Sequence, residues 1–330
     1  PCEPEALSVY QFRAATDLDE CREVWERVFP PQSLTDLWEL RLCFHRYFQR
    51  PPCFLVAEDA DGVCGLVPLS WIEESACYGY FPGETWEGKT WLEQNRVFVR
   101  SEPILTALLE RCPSTYSLRY LLPPAGVPRE HCAVDEVGYL FLPPRYGFDL
   151  ENYFQAEFSH RNAKRVKRDV NRTAALGVSY RYDDLADFEH LLRLNMERFG
   201  ERSYFADTRF REGFRSAVQF LHQQGWLRVT TLLIQGEPAA VDVGCMRDGT
   251  YTLLAGGTDS RYPGVAKLIN LHHMQRACQE RLEQVDFLCG DFSWKTLFHL
   301  TPRPLYLLSN AADYTRQSGG VEAGSAARVE

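Results

Sequence analysis

The fold of this chain is decided by residues 226–266, which read WLRVTTLLIQGEPAAVDVGCMRDGTYTLLAGGTDSRYPGVA. Three runs rich in apolar and β-branched residues, at 226–234, 239–246 and 250–255, are separated by two short turns that contain Gly236 and Gly249. This pattern predicts an antiparallel meander of three strands. The last strand leads through a loop with Pro263 and Gly264 into a helix predicted at 265–281.

The segments on both sides of the meander extend the same pattern. Before it, the sequence predicts a long basic helix at 151–175, a strand at 178–182, and two helices near 185–199 and 208–224. After it, strands are predicted at 285–288 and near 305–308. The second half of the chain is therefore expected to be a mixed, mainly antiparallel sheet flanked by helices.

The first half carries weaker signals of the same plan. A strand is predicted at 9–12, a helix at 17–29 capped by Thr16, and a hairpin with arms at 54–57 and 63–69. The Pro-rich segment 121–147 is expected to be an irregular linker, because proline stops helices and is excluded from sheet interiors. We therefore predict an α+β chain with domains at 1–148 and 149–316 and a disordered tail at 317–330.

Composition limits the class of protein. The chain has 330 residues, of which 45% are hydrophobic and 25% are charged, as expected for globular domains rather than a disordered or fibrous chain. No apolar run is long enough to cross a bilayer, and the first residues show no secretory signal. The 11 cysteines form no Cys-x-x-Cys pair. These features predict a cytoplasmic protein with reduced thiols and no metal site.

Charge is unevenly divided along the chain. Residues 1–150 hold 13 basic and 23 acidic residues, whereas residues 151–330 hold 23 basic and 22 acidic residues. A net charge of −9 argues against a protein that coats DNA. One basic run stands out at 159–172, where six cations accompany the single carboxylate of Asp169.

The meander, the loop and the helix that follows resemble the GNAT acyltransferase fold. The loop Arg261-Tyr262-Pro263-Gly264-Val265-Ala266 is similar to the GNAT pyrophosphate loop pattern Gln/Arg-x-x-Gly-x-Gly/Ala. Together with the basic helix, the Gly236–Ala240 turn and the segment 286–295, it resembles the tandem-GNAT family of CelD-like acyltransferases, with Fem-type aminoacyl transferases as distant relatives. The resemblance implies two GNAT-like domains in tandem, the first of them degenerate and on the acceptor side.

The loop at 261–266 has a physical reason for its residue types. A helix amino terminus presents unpaired N–H groups and a partial positive charge, so it can hold a phosphate if the backbone is accessible. The same residues also fit an ordinary helix start after a turn. The resemblance implies that the phosphate is the pyrophosphate of acyl-CoA, bound by Arg261, Pro263, Gly264, Val265 and Ala266.

Three residues are candidates for catalysis. Lys295, with Asp291 four residues earlier, follows a strand end, where an ammonium can stabilise an oxyanion. The alternative is a surface Lys–Asp pair. Asp242 shares one face of its strand with the small residues Ala240 and Gly244, so it is a candidate proton acceptor with space before it, or a structural carboxylate. Asp286 is expected to pair structurally with a neighbouring helix.

Two segments are candidates for substrate binding. The segment 81–95 is dense in aromatic, acidic and glycine residues, so it fits either an acceptor pocket or a packed segment. The basic helix fits either a phosphorylated ligand or tRNA, or a solvated helix face. The predicted substrate-binding residues are Glu84, Trp86, Glu87, Trp91, Arg161, Lys164 and Arg165.

The resemblance implies an N-acyltransferase that moves an acyl group from acyl-CoA, its only cofactor, to an amine. The acceptor is expected to be a small molecule or a cell-envelope precursor bound between the domains. One alternative is a Fem-type transferase that uses aminoacyl-tRNA, although no helical hairpin of sufficient length for that class is present. A second alternative is a non-catalytic GNAT scaffold that binds a metabolite or a partner protein.

Overall fold

A computed structural model describes residues 9–123, 133–290 and 293–311, and of Ser293 it describes the backbone only. The predicted disordered tail at 317–330 and the candidate Asp291 lie outside these residues. The chain divides into two compact units, Pro1–Glu136 with Pro304–Glu330, and Val137–Arg303. Within the described ranges no helix is long and apolar enough to cross a membrane, and no cluster of three or more metal-ligating side chains occurs.

The first unit has an antiparallel sheet in the order β1-β2-β3-β4, and β7 pairs with β3. Its core holds the ring cluster around Trp25, Phe54 and Phe81. The elements of this unit, in chain order, are β1 Gln11–Ala15, α1 Leu18–Val28, α2 Trp38–Phe48, β2 Pro52–Asp59, β3 Gly62–Ile72, β4 Cys77–Tyr80, β5 Thr85–Trp86, β6 Lys89–Thr90, β7 Phe98–Val99, α3 Glu102–Leu109 and β8 Ser117–Leu121.

The second unit is built on the predicted meander. Its strands lie in the order β10-β11-β12-β13-β14-β9, and all neighbours are antiparallel except β13 and β14, which are parallel. The elements are β9 Ala133–Phe141, α4 Leu150–Glu157, α5 His160–Ala174, β10 Val178–Tyr182, α6 Asp187–Phe199, α7 Thr208–Gln223, β11 Leu227–Ile234, β12 Glu237–Arg247, β13 Thr250–Thr258, α8 Val265–Gln279, β14 Gln284–Asp286, α9 Ser293–Leu297 and, last among the described residues, β15 Thr301–Ser309.

The division between the units falls at different residues from the predicted boundary at 148/149. It lies between Glu136 and Val137, inside β9, and the strand β15 crosses from the second unit into the first at Pro304. The segment 304–309 pairs with β8, where Tyr306 faces Leu121 and Leu308 faces Leu118. Hydrogen bonding to a distant strand assigns these residues to the first unit, and local sequence contains no signal for it.

Three predicted elements differ from the structure in ways that have local causes. The predicted linker contains the strand β9. The predicted helix at 151–175 is two helices, because Phe158 is extended (φ −116°, ψ 142°) and Ser159 Oγ accepts the N–H of Asn162 to begin α5. The helix α1 is capped by Asp17 rather than Thr16, since the Asp17 carboxylate accepts the N–H groups of Asp19 and Glu20.

Candidate active site

The geometry of the candidate site begins where β13 separates from β14. These parallel strands are paired only from Thr250 to Thr252, opposite Gln284 to Asp286, whereas β13 continues to Thr258 along β12. β13 also carries one extra residue, Leu254, between the partners of Gly244 and Val243. β-Bulges of this kind are common beside active sites. The second half of β13 therefore has a strand edge that β14 does not cover.

The same strand leads directly into the amino terminus of α8. Gly264 is the N-cap and has a left-handed backbone (φ 89°). Because glycine has no side chain, the first turn of the helix has no side-chain cap. The N–H of Val265 donates to Tyr262 O at 3.2 Å, while the amides of Ala266 and Lys267 follow in the first turn. The predicted helix start at Val265 is therefore what the structure shows.

Gly264 is required for a different reason from the one that the sequence suggests. A Cβ atom at this position would lie 2.9 Å from Thr173 Oγ1 of α5, and Thr173 Oγ1 donates to Pro263 O at 3.3 Å. The missing side chain therefore allows α5 to pack against the loop, rather than leaving room for a ligand. Thr173 was missed by sequence reasoning because it lies some 90 residues before the loop.

The cation of the loop is already paired. The Arg261 guanidinium donates to the Asp259 carboxylate at 2.6, 2.9 and 3.1 Å, and the Arg261 side chain is 73% exposed. Hydrogen bonding from Arg261 lowers the pKa of Asp259. Asp259 was not among the predicted site residues, although a carboxylate two residues before an arginine is a signal for such a pair. A phosphate at α8 would therefore meet an Asp–Arg pair rather than an isolated cation.

Asp242 is buried below α8 and bonds to a histidine. Its Oδ2 lies 2.8 Å from His273 Nε2, and both side chains are at most 5% exposed. The ring of Tyr251 packs near His273, with the ring centroids 4.9 Å apart. His272, its neighbour in α8, stacks on Tyr180 instead. The rings of His273 and Tyr251 occupy the space that strand alternation predicts beside Asp242. The role of Asp242 as a proton acceptor stays a prediction.

Lys295 is buried, and its partners differ from those that the sequence suggested. Its side chain is buried, and Nζ donates to the carbonyl oxygens of Phe287, Leu288 and Cys289 at 2.8, 2.9 and 2.7 Å. Lys295 is therefore not a surface lysine, and its predicted partner Asp291 lies outside the described residues. Asp286 pairs with Arg303 of β15 at 2.8 and 3.1 Å, so its predicted structural pairing is made with a strand rather than with a helix.

The segment 81–95 of the first unit is mostly packed. The buried carboxylate of Glu84 accepts Thr90 Oγ1 and the Leu92 N–H, both at 2.9 Å, and closes the hairpin of β5 and β6. Burial raises the pKa of Glu84. Trp86 is buried against Phe48. The predicted contact of Glu84 and Trp86 with an acceptor conflicts with this burial, because at most 5% of either residue is exposed.

Two other residues of this segment differ from that pair. Glu87 is exposed, and Trp91 is half-buried with its ring 5.5 Å from that of Phe44.

Further along, Asn95 forms a parallel bridge with Leu121 of β8, and its N–H donates to Tyr120 O at 2.9 Å. The bridge between Tyr78 and Tyr116 shows that β8 also runs parallel to β4. In the first unit the chain around Asn95 therefore occupies an edge of β8.

The predicted basic residues lie on the exposed side of α5. Arg161, Lys164 and Arg165 are exposed, while Val166 and Thr173 are buried. At 1.5 Å per residue, Arg165 lies about 12 Å along the helix axis from Thr173, which contacts the loop. These three cations therefore do not reach the start of α8, and the solvated helix face is what the structure shows for them.

Comparisons with known proteins agree with this geometry. Residues 159–296 match the acetyltransferase (GNAT) domain family, whereas no curated protein matches the chain. Among solved structures, FemX is 10% identical with a TM-score of 0.54 and covers 92% of this chain and 98% of its own. L-PGS from Bacillus licheniformis is 10% identical, with a TM-score of 0.54 and coverages of 91% and 93%.

A third solved structure, a conserved protein of unknown function from Bacteroides thetaiotaomicron, is 14% identical with a TM-score of 0.52 and covers 91% of this chain and 99% of its own. At such identities these structures show the fold alone. The resemblance to GNAT acyltransferases is confirmed, and so is an α+β fold with two GNAT-like domains. The family match at residues 159–296 supports an acyltransferase.

Proposed function

We propose that this protein is an N-acyltransferase that takes its acyl group from acyl-CoA at the edge of β13 and the start of α8. The observation that carries the proposal is the early end of the pairing between β13 and β14, at Thr252 and Asp286. It leaves an edge of β13 that β14 does not cover, and the loop 259–264 leads from this strand to a helix amino terminus without a side-chain cap.

The two parts of this site fit the two parts of coenzyme A. Helix amino termini bind phosphate groups, because their unpaired N–H groups and partial positive charge face the ligand. An uncovered strand edge pairs with extended chains that carry amide groups, as the pantetheine arm does. The pyrophosphate would therefore lie at Val265 and Ala266 and the thioester near the bulge at Leu254.

The reaction that follows is an acyl transfer without a covalent enzyme intermediate. The acceptor amine attacks the thioester carbonyl, the C–N bond forms, and the C–S bond breaks with release of the coenzyme A thiolate. The proton that the amine loses passes to the thiolate or to solvent. Backbone N–H groups at the bulge of β13 are suited to stabilise the oxyanion, because they are fixed before the reaction begins.

A second candidate donor is aminoacyl-tRNA. The exposed cations Arg161, Lys164, Arg165, Arg168 and Arg172 of α5 support it, since such a face attracts a phosphate backbone. The match to FemX concerns the fold alone. The acyl-CoA proposal is favoured because Arg161, Lys164 and Arg165 lie at least about 12 Å along α5 from Thr173, which contacts the loop before α8.

Calorimetry with coenzyme A, acetyl-CoA and longer acyl-CoAs tests the proposal. We expect binding to the wild-type protein and an affinity about tenfold lower in Arg261→Ala, because loss of the cation also leaves the Asp259 carboxylate unpaired beside the phosphates. The control Arg22→Ala removes an exposed arginine of the first unit, one that pairs with Glu26, and should bind as the wild type does.

Each other outcome identifies an alternative. No binding of any thioester at millimolar concentration removes the acyl-CoA proposal. Binding of charged tRNA that weakens steeply with salt, and is lost when the α5 cations are replaced, favours the aminoacyl-tRNA donor. Binding of coenzyme A without acyl transfer to any amine tested favours a non-catalytic scaffold.

A further inference from the structure

The ammonium group of Lys295 has an unusual set of partners. It donates to three successive carbonyl oxygens, those of Phe287, Leu288 and Cys289, at 2.7–2.9 Å. The side chain is 2% exposed, and its Nζ also lies 5.5 Å from the ring centroid of Tyr139. A lysine ammonium has three N–H groups. The three carbonyls thus match its three N–H groups in number.

Three successive carbonyls cannot point to one atom in a regular strand, where they alternate in direction. The chain achieves it here because Leu288 has a left-handed backbone (φ 56°). Its N–H donates to Asp286 Oδ1 at 2.9 Å, and its carbonyl also accepts the N–H of Tyr139 at 3.2 Å. Lys295 thus stabilises a bend at the end of β14.

The bend lies at the point where β14 stops pairing with β13. Asp286 is the last residue of β14 that faces β13, opposite Thr252, and the three bound carbonyls belong to the next three residues. Over the same residues the chain stays bonded to β9, because the Phe287 N–H donates to Tyr139 O at 2.9 Å. The segment 287–289 is therefore held on the β9 side.

We infer that Lys295 is a positioning residue that keeps the edge of β13 uncovered by holding 287–289 in this bend. The inference rests on the proposed function, since the uncovered edge is the proposed acyl-CoA site. It differs from the predicted role of Lys295 as an oxyanion donor, because N–H groups that donate to the carbonyls of the bend are not directed at a developing oxyanion.

Coenzyme A without an acyl group separates these two roles, because it has no thioester carbonyl and forms no oxyanion. Lys295→Met keeps the side chain as far as Cε and removes the ammonium. We expect this variant to bind coenzyme A at least tenfold more weakly than the wild type. An unchanged affinity together with a kcat that is lowered 100-fold or more would show an oxyanion donor and overturn the inference.

A matched control separates positioning from stability alone. Leu221 is fully buried in α7, away from β13 and β14, so Leu221→Ala destabilises the same unit without touching the bend. We expect coenzyme A to bind Leu221→Ala as it binds the wild type, at a temperature where both are folded. An equal loss of affinity in Lys295→Met and Leu221→Ala would assign Lys295 to stability only.

Rescue by a small amine covers the case in which Lys295→Met does not fold. Lys295→Ala leaves a space into which propylammonium fits, so propylammonium should restore folding and coenzyme A affinity to this variant while leaving Leu221→Ala unchanged. If it restores neither, the inference is wrong.

Hydrogen exchange distinguishes failure of this inference from failure of the proposed function. If the wild type binds no coenzyme A, the proposed function fails, and the bend is then read from amide exchange in the peptide 284–290. Faster exchange there in Lys295→Met than in Leu221→Ala supports the role of Lys295 in holding the bend. Equal exchange in the two variants overturns it.

Discussion

At the scale of single residues, the two adjacent histidines of α8 show how position on a helix decides chemistry. His273 faces the sheet and bonds to Asp242, whereas His272 stacks on Tyr180 with ring centroids 3.8 Å apart. The Tyr182 hydroxyl lies 3.0 Å from His272 Nε2. Burial, then the neighbouring His273 and Arg276, lower the pKa of His272 to about 4. His272 is therefore neutral at physiological pH.

This pKa predicts a loss of stability in acid. In the unfolded chain a histidine titrates near 6.5, so between about pH 6.5 and pH 4 the unfolded state binds a proton that the folded state does not bind at His272. Unfolding is therefore favoured as the pH falls through this window. Because the ring is partly exposed, we expect the free energy of unfolding to fall by about 1–2 kcal/mol rather than by the full amount.

The variant His272→Phe tests this expectation, since phenylalanine keeps the stacking on Tyr180 and does not titrate. Its melting temperature should fall less than that of the wild type between pH 6.5 and pH 4.5. His222→Gln, on the exposed end of α7, should follow the wild type. If His272→Phe lost as much stability in acid as the wild type, another group would cause the pH dependence.

At the scale of elements, the start of α8 depends on the helix α5 that packs against it. Gly264 has a left-handed backbone, and a Cβ atom there would lie 2.9 Å from Thr173 Oγ1. We therefore expect Gly264→Ala to lower the free energy of unfolding by roughly 2–4 kcal/mol, because the alanine meets both an unfavourable φ and a close contact. Urea denaturation measures this loss.

The part of this loss in the free energy of unfolding that comes from the close contact should depend on Thr173. With Thr173→Ala in the background, Gly264→Ala should cost about 1–2 kcal/mol, the cost of the backbone conformation alone. Strictly additive effects of the two substitutions would show that the loop moves away from α5 rather than packing against it.

At the scale of the whole molecule, the strand β15 contributes to the first unit from a position far along the chain. Leu305, Tyr306 and Leu307 of β15 are buried, Tyr306 pairs with Leu121 of β8, and the Tyr116 N–H donates to Asn310 Oδ1 at 2.8 Å. β8 would lose this strand if the chain ended before Pro304.

We therefore expect a chain that ends at residue 303 to lose the cooperative melting of its first unit, whereas a chain that ends at residue 311 melts as the full chain does. Calorimetric melting of the two truncated chains measures the difference, and limited proteolysis should cut residues 9–121 first in the shorter one. Equal melting of both chains would show that β15 contributes little to this unit.

What the sequence by itself determined is the set of features that local chemistry controls. The alternation and turns at 226–255 predicted the meander, and Gly264 predicted the start of α8 at Val265, because strand period, turn geometry and a left-handed N-cap are properties of a few consecutive residues. The GNAT resemblance followed from the same stretch. The proposed site therefore lies at the loop and strand that the sequence indicated, and its residues stay a prediction.

Only the tertiary structure decided which partner each side chain meets. Lys295 bonds to carbonyls of a bend in another segment, Asp259 holds Arg261, and Glu84 closes its own hairpin instead of facing a ligand. The last strand joins the first unit because its hydrogen-bond partner β8 lies far back in the chain. The first three contacts join residues two to eight positions apart, but they depend on bends and turns that form only when each unit packs, whereas the pairing of β15 with β8 joins remote segments.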